Sequence, residues 1–148
     1  MTVLFVDTAA WIGLTDTSDQ YHEPARRFYR ASAASAARLL TSSLVLAESY
    51  ALLRRVLPTH RAVDWLDQLL SSSRLEVVYD TPEILRRALR FLTRYADHAF
   101  SLVDAVSMQI MHDRDLRAVF TFDPYFHVAG YAVVPGTEGD RFGRGALG

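Results

Sequence analysis

The chain has 148 residues, half of them apolar, and a formal net charge of −1 at neutral pH. This length suits a single domain with its own hydrophobic core, and the near-neutral charge argues against a generally basic surface for nucleic acid. The absence of cysteine excludes disulfides and thiolate metal sites. All sixteen basic residues are arginine, so a Walker-type phosphate loop and Schiff-base chemistry are excluded as well.

The first half of the chain alternates short apolar runs with amphipathic segments. In chain order, the predicted elements are a strand at 2–6, a short helix at 8–14, a helix from 19 to about 38, a strand at 39–41, and helices at 43–57 and 59–70. Asp19 is predicted to be the N-cap of the third of these elements. Pro58 is predicted to end the helix that precedes it.

The second half continues the alternation. The predicted elements are strands at 75–79, 118–122 and 131–134, with helices at 82–95 and 102–112. Thr81 and Pro82 have the residue types of an N-cap and a first helical position. Alternating strands and helices predict an α/β domain, with a parallel sheet of four or five strands covered by helices on both faces.

The domain is predicted to span residues 1–135, followed by a flexible, Gly-rich C-terminal tail at 136–148. The first apolar run is short and has no basic segment before it, which predicts a strand and not a signal peptide. No stretch approaches the ~20 apolar residues of a membrane span. A cytoplasmic protein is therefore the expectation.

Four acidic residues fall where an α/β fold turns side chains toward one crevice. Asp7 and Asp123 each follow an apolar run, so both are predicted just past the carboxyl ends of parallel strands. Glu48 and Asp104 are predicted in the first turns of their helices, which could present them at the same rim. Four carboxylates together would repel one another unless a cation neutralised them, and a hard divalent ion held by oxygen atoms is the simplest solution.

Each acid also has a purely structural explanation. Asp7 could cap the helix that follows it, and Asp104 fits the acidic position of a capping box with Ser101. Asp123 could be an ordinary turn residue, and Glu48 a polar residue on a helix surface. We favour a shared site because all four acids occupy matching topological positions.

Other α/β enzymes with acidic or phosphate-binding sites do not match. A haloacid-dehalogenase-type phosphotransferase needs Asp-x-Asp after its first strand, and residues 7–9 read Asp-Thr-Ala. A Rossmann or P-loop protein needs a glycine-rich turn, but only Gly13 and Gly130 precede residue 136. The five histidines show no metal-ligand spacing.

Several segments occur in the order found in one known family. They are FVDTAAWI at 5–12, D-x-x-H-x-x-A at 19–25, LAE at 46–48, FSLVDA at 100–105, T-F-D-x-x-F at 121–126 and AGY at 129–131. With these segments the chain resembles the PIN domain, and specifically the VapC family of toxin ribonucleases, from residue 3 to about residue 135. The implied fold is a three-layer α/β/α PIN-like domain.

The resemblance implies a Mg²⁺- or Mn²⁺-dependent endoribonuclease, the toxin of a type II, VapBC-like toxin–antitoxin system, which hydrolyses RNA phosphodiesters with a metal-activated water. The implied catalytic and metal-binding residues are Asp7, Glu48, Asp104 and Asp123. Thr8, Ser101 and Thr121 carry hydroxyls beside the acids that could orient them, with backbone capping as the alternative.

The resemblance further implies a homodimer and an antitoxin whose C-terminal segment covers the acidic crevice with an arginine or lysine. The apolar stretches at 44–46 and 66–70 are candidates for the dimer contact. Two alternatives stay open: a PIN-type nuclease of RNA maturation without an antitoxin, and a catalytically silent module that binds metal or a partner. A neighbouring short reading frame for a DNA-binding protein would favour the toxin.

RNA must also approach an acidic site, which calls for a local cationic surface. The predicted helix at 82–95 carries its leucines on one face and its arginines on the other. Arg87, Arg90 and Arg94 are therefore predicted to bind RNA, with a solvated helix face as the alternative. The next candidates are the arginines at 26, 27 and 30 and those at 54 and 55.

Overall fold

The computed structural model describes residues 2–136, so the predicted tail at 136–148 lies, apart from Gly136, outside the described residues. Five strands form one sheet: β1 (Val3–Val6), β2 (Arg38–Ser42), β3 (Leu75–Val78), β4 (Ala118–Phe120) and β5 (Ala132–Val134). Their order is β3-β2-β1-β4-β5, and every neighbouring pair is parallel. The predicted parallel sheet is confirmed.

Six helices flank the sheet. They are α1 (Thr8–Thr15), α2 (His22–Ala34), α3 (Ser43–Leu53), α4 (Thr59–Leu70), α5 (Pro82–Arg94) and α6 (Leu102–Asp113), and a 3₁₀ turn covers Pro124–His127. No helix within residues 2–136 is both long enough and apolar enough to cross a membrane.

The hydrophobic core centres on β1. Leu4, Phe5 and Val6 are fully buried, as is Phe120 of β4. A continuous apolar run is what a central parallel strand requires, because helices cover both of its faces. Phe28 of α2 packs edge-on against Phe120, with ring centroids 4.7 Å apart, and so joins the helical layer to the sheet.

Asp19 does not cap α2 as predicted. Its Oδ1 accepts a hydrogen bond from the backbone N–H of Tyr21 at 2.8 Å, which closes a local turn, and the helix begins only at His22. An aspartate side chain readily forms this turn with the residue two positions on. The helix also ends earlier than predicted, because Ala36 has a φ of 57° and Arg38 already pairs with Val3 of β1.

The strand order creates one topological switch point. β1 lies between β2, which follows it in the chain, and β4, which comes much later. In open α/β sheets the ligand crevice lies outside the carboxyl ends of the strands at such a point. The crevice is therefore expected where Asp7 leaves β1 and Asp123 follows β4.

Candidate active site

The four predicted acids line one cavity at the switch point. Asp7, Glu48, Asp104 and Asp123 all border this space of about 310 Å³, which we call the acidic cavity. Asp104 lies in the first turn of α6, as predicted, but Glu48 lies in the second turn of α3 because that helix begins at Ser43. Its side chain reaches the cavity nonetheless.

Asp7 is the most buried of the four acids. It is 4% exposed, and its Oδ2 accepts a hydrogen bond of 2.9 Å from the hydroxyl of Thr121. Its Oδ1 is buried with no hydrogen-bond partner, and the side chain does not cap α1. Burial raises the pKa of Asp7 to about 7; the Thr121 hydrogen bond opposes this rise and the charge of Asp104 adds to it.

Asp104 serves a structural role and faces the cavity as well. Its Oδ2 accepts from the backbone N–H of Ser101 at 2.9 Å, and its own N–H donates to the Ser101 hydroxyl at 3.1 Å, which completes a capping box. Burial raises the pKa of Asp104, the hydrogen bonds from Ser101 lower it, and the charges of Asp123 and Glu48 raise it further. The helix cap therefore fixes this carboxylate among other carboxylates.

Thr121 links two of the acids. Its hydroxyl donates to Asp7 and accepts from the backbone N–H of Asp123 at 3.2 Å. Asp123 itself accepts from the backbone N–H of Tyr125 at 2.9 Å, so its turn role is also present. Of the three predicted orienting hydroxyls, those of Thr121 and Ser101 contact an acid or its backbone, while that of Thr8 is buried without a hydrogen-bond partner.

The donors fit a hydrated divalent ion. No group of three or more His, Cys, Asp or Glu side chains within residues 2–136 is already arranged to enclose a metal. Mg²⁺, however, keeps several waters and usually takes only one or two carboxylates. Three observations favour a cation here. Oδ1 of Asp7 has no hydrogen-bond partner, and the pKa values of Asp7 and Asp104 are raised. None of the described residues that line the cavity has a basic side chain.

Sequence reasoning missed one side of the cavity. Asp19, Gln20 and Tyr21 line it together with Phe122, although Asp19 was predicted only as a helix cap. These residues arrive through the packing of α1 on α2 at Gly13, where a Cβ would lie 3.3 Å from that of Ala25. No periodicity in the sequence signals this contact.

The predicted RNA-binding arginines lie away from the acidic cavity. Arg87 forms a two-point ion pair with Asp113, at 2.7 and 3.1 Å. Arg90 and Arg94 lie over neighbouring aromatic rings of α5 and its C-cap, 4.8 and 5.6 Å from the ring centroids. Arg90, Arg94 and His112 border a separate cavity of about 290 Å³.

Comparison with known proteins shows the family of this chain. The profile of the PIN domain family matches residues 4–130. The 23S rRNA-specific endonuclease VapC20 of Mycobacterium tuberculosis is 30% identical over 132 residues, which cover 89% of this chain and 98% of that protein.

Solved structures give the same result. The crystal structure of M. tuberculosis VapC20, a toxin that cleaves the sarcin–ricin loop, superposes with a TM-score of 0.79 at 28% identity, over 88% of this chain and 96% of the other. VapBC2 from Rickettsia felis, bound to a promoter DNA fragment, superposes with a TM-score of 0.66 at 15% identity, covering 89% and 97% of the two chains. That second likeness concerns the fold alone. The chain thus belongs to the PIN-domain family, among the VapC-type toxin endoribonucleases.

Proposed function

We propose that Asp7, Glu48, Asp104 and Asp123 hold the divalent ion with which this VapC-type toxin hydrolyses RNA. The observation that carries the proposal is the state of Asp7. Its carboxylate is buried with one oxygen unpartnered, and buried charges are ordinarily paired or bound to a metal. PIN-domain nucleases depend on divalent metals, which supports a cation as the missing partner.

The chain's own residues divide the work. Asp7 and Asp104 are assigned to direct contact with the ion, because burial disfavours their charged forms until a cation compensates. Glu48 and Asp123 hold the ion directly or through water. Thr121 donates to Oδ2 of Asp7, and Oδ1, which has no hydrogen-bond partner, would be the oxygen that binds the ion. When bound, the ion supplies a water of low pKa and neutralises charge on the phosphoryl oxygens, and the cut leaves a 5′-phosphate and a 3′-hydroxyl.

The ion is proposed to be Mg²⁺, with Mn²⁺ as the substitute. The four assigned ligands are all carboxylates, and oxygen donors without thiolate or imidazole favour hard divalent ions. The described lining of the cavity contains no histidine, which argues against zinc.

The test is RNA cleavage by matched variants. Wild-type protein should cleave RNA with Mg²⁺ or Mn²⁺ and stop in EDTA, and Asp7→Asn and Asp104→Asn should be inactive while remaining folded. Asp97→Asn is the control, because Asp97 is exposed and does not line the acidic cavity, so this variant should cleave normally. Undiminished cleavage by Asp7→Asn or Asp104→Asn would sink the assignment.

The proposed substrate is ribosomal RNA of the large subunit. The support is the likeness to VapC20, which is named for its action on 23S rRNA and matches over most of both chains. Purified protein added to ribosomes should cut that RNA at one position, which primer extension would locate. Intact ribosomal RNA beside widespread cleavage of messenger RNA would contradict this choice.

The proposed partners are an antitoxin and a second copy of the chain. In the first apolar stretch predicted for a dimer, Val45 and Leu46 are buried within the monomer, whereas Leu70 at the end of the second is 51% exposed. Val63, which precedes that second stretch on α4, is 48% exposed. The α4 surface is thus the stretch that remains for a partner. Light scattering that gives a monomer at micromolar concentration would contradict the dimer.

Co-expression with the product of a neighbouring short reading frame should give a complex with suppressed RNA cleavage, and full activity in that complex would contradict the antitoxin.

Arg90 and Arg94 are proposed as part of the surface over which RNA approaches. Both are exposed and close to aromatic rings, and guanidinium groups bind phosphate in a two-point manner. Arg87 is expected to contribute less, because Asp113 already occupies its guanidinium.

A further inference from the structure

A second and larger cavity adjoins the acidic one. It measures about 640 Å³, within the range of roughly 300–1,000 Å³ that small-ligand sites occupy. Its described lining consists of Tyr21, Pro24, Arg27, Phe28, Phe122, Pro135 and Gly136. We call this space the aromatic groove. Tyr21 and Phe122 also line the acidic cavity, so these two rings border both spaces.

The two shared rings form a stacked pair. Their centroids are 4.5 Å apart and their planes differ by 3°. Phe122 also packs edge-on against Phe120 of the core, at 6.2 Å. The backbone of Tyr21 is held on both sides, because its N–H donates to Asp19 at 2.8 Å and its carbonyl accepts from Ala25 at 2.9 Å. The pair is therefore a pre-formed apolar wall beside the acids.

The described lining of the groove also includes a cation, Arg27. Arg27 is the single basic side chain among the described residues that line either cavity. It makes no ion pair or hydrogen bond with any residue in the part of the chain that the structure describes, whereas the neighbouring Arg26 pairs with Glu23 at 3.6 Å. An exposed guanidinium without a carboxylate partner is available to an anion.

We propose that the aromatic groove binds a nucleotide adjacent to the scissile phosphate, with its base against the Tyr21–Phe122 pair and its phosphate at Arg27. This inference rests on the proposed ribonuclease function, since a strand with one phosphate at the acids must continue past the shared rings. Proteins commonly hold unpaired bases on aromatic rings and their phosphates with arginine. A protein segment that covers the acids with its own arginine or lysine requires no cation beside them, whereas Arg27 suits a chain of phosphates.

The first test compares steady-state cleavage of an RNA oligonucleotide at saturating Mg²⁺. Tyr21→Ala should lower kcat/KM by roughly 5- to 150-fold, the fold-change that corresponds to one base–aromatic stack, while Tyr21→Phe keeps the ring and should stay near wild type. Arg27→Gln should lower kcat/KM. It should also reduce the steepness of the plot of log(kcat/KM) against log salt concentration by about 0.7, the contribution of one phosphate contact with a single strand. Arg117→Gln is the matched charge control, because the Arg117 side chain is 88% exposed and lies directly before β4, at the end of that strand opposite the acids.

The second test locates the base. A series of RNAs is prepared, each with an abasic site at a different position around the cut. For one of these RNAs, Tyr21→Ala should lower kcat/KM no further, because the base that contacts Tyr21 is already missing. If Tyr21→Ala keeps wild-type kcat/KM, or loses the same factor on every abasic RNA, the subsite does not exist. Unchanged RNA cleavage together with weakened inhibition by the antitoxin would assign the groove to that protein and overturn the proposal.

Failure of the subsite is distinguishable from failure of the ribonuclease function. The function fails if wild-type protein does not cleave RNA, or if Asp7→Asn cleaves as well as wild type. The subsite alone fails if wild-type protein cleaves RNA, Asp7→Asn does not, and the Tyr21 and Arg27 variants match wild type. The rise in melting temperature with Mg²⁺ should be the same in Tyr21→Ala as in wild type, and loss of that rise would mean that the variant disturbs the acids and not a base.

Discussion

Replacing Asp7 by Asn should abolish RNA cleavage and yet stabilise the metal-free protein at pH 8. Asp7 is 4% exposed, and burial raises its pKa from 3.8 to about 7. Asparagine has nearly the same volume and keeps an oxygen that can accept from Thr121. It has no charge to bury, and none to share with a cation.

The sign follows from proton linkage. The folded-state pKa of Asp7 lies above its unfolded-state value, so the contribution of this carboxyl to stability is complete below pH 4 and is lost as the pH rises through 7. At ~1.4 kcal/mol per pK unit the loss is roughly 4 kcal/mol at pH 8 and roughly 2 kcal/mol at pH 5. Asparagine escapes this loss because it does not titrate.

A smaller effect opposes the gain. The amide nitrogen of asparagine would take the place of Oδ1, which has no hydrogen-bond partner, and an unsatisfied buried polar group costs about 1–3 kcal/mol. The expected net stabilisation of Asp7→Asn is therefore about 2 kcal/mol at pH 8 and close to zero at pH 5.

Urea denaturation in EDTA at the two pH values measures this difference. Asp97→Asn removes an exposed charge and should match wild type at both. If the stability difference between Asp7→Asn and wild type is the same at pH 5 and pH 8, the buried carboxyl does not titrate as reasoned, and the electrostatic account of the site is wrong.

Three further outcomes are expected. Mg²⁺ should raise the melting temperature of wild type by binding the folded state preferentially, and an unchanged melting curve would argue against a shared metal site. Thr121→Val removes the hydrogen bond that lowers the pKa of Asp7, so at subsaturating Mg²⁺ the midpoint of the pH–rate profile should move to higher pH; a fixed midpoint would contradict this. Replacing Arg90 and Arg94 by Gln should weaken RNA binding and flatten its salt dependence by about 0.7 per lost contact, whereas Arg87→Gln should change the slope little. Wild-type slopes in the double variant would leave these arginines as solvated surface.

The elements with a local signature could be predicted. The run at 3–6 is apolar at every position, and such a run indicates a strand buried on both faces. Thr81 and Ser101 were recognisable as helix starts, and both side chains accept hydrogen bonds from the backbone of their helices. Helix ends were predicted less well, since α3 ends at Leu53 and not at residue 57.

Elements that depend on long-range contacts could not be predicted. Asp19 was assigned to a helix cap because cap and turn use the same residue type. The ion pair that occupies Arg87 involves Asp113, which lies 26 residues away on another helix. The helical wheel of α5 alone contains no information about that partner.

The sequence by itself determined the parallel α/β fold, the family and the four acids of the crevice, because burial and strand-end position leave a pattern in neighbouring residues. Only the tertiary structure decided which acid is buried, which hydroxyl donates a hydrogen bond to it and which aromatic side chains lie beside it. Asp7 meets Thr121 across 114 residues of chain, and Tyr21 meets Phe122 only after α2 packs on α1 and the sheet. Burial and hydrogen bonding of this kind depend on groups brought together by folding, which no short stretch of sequence records.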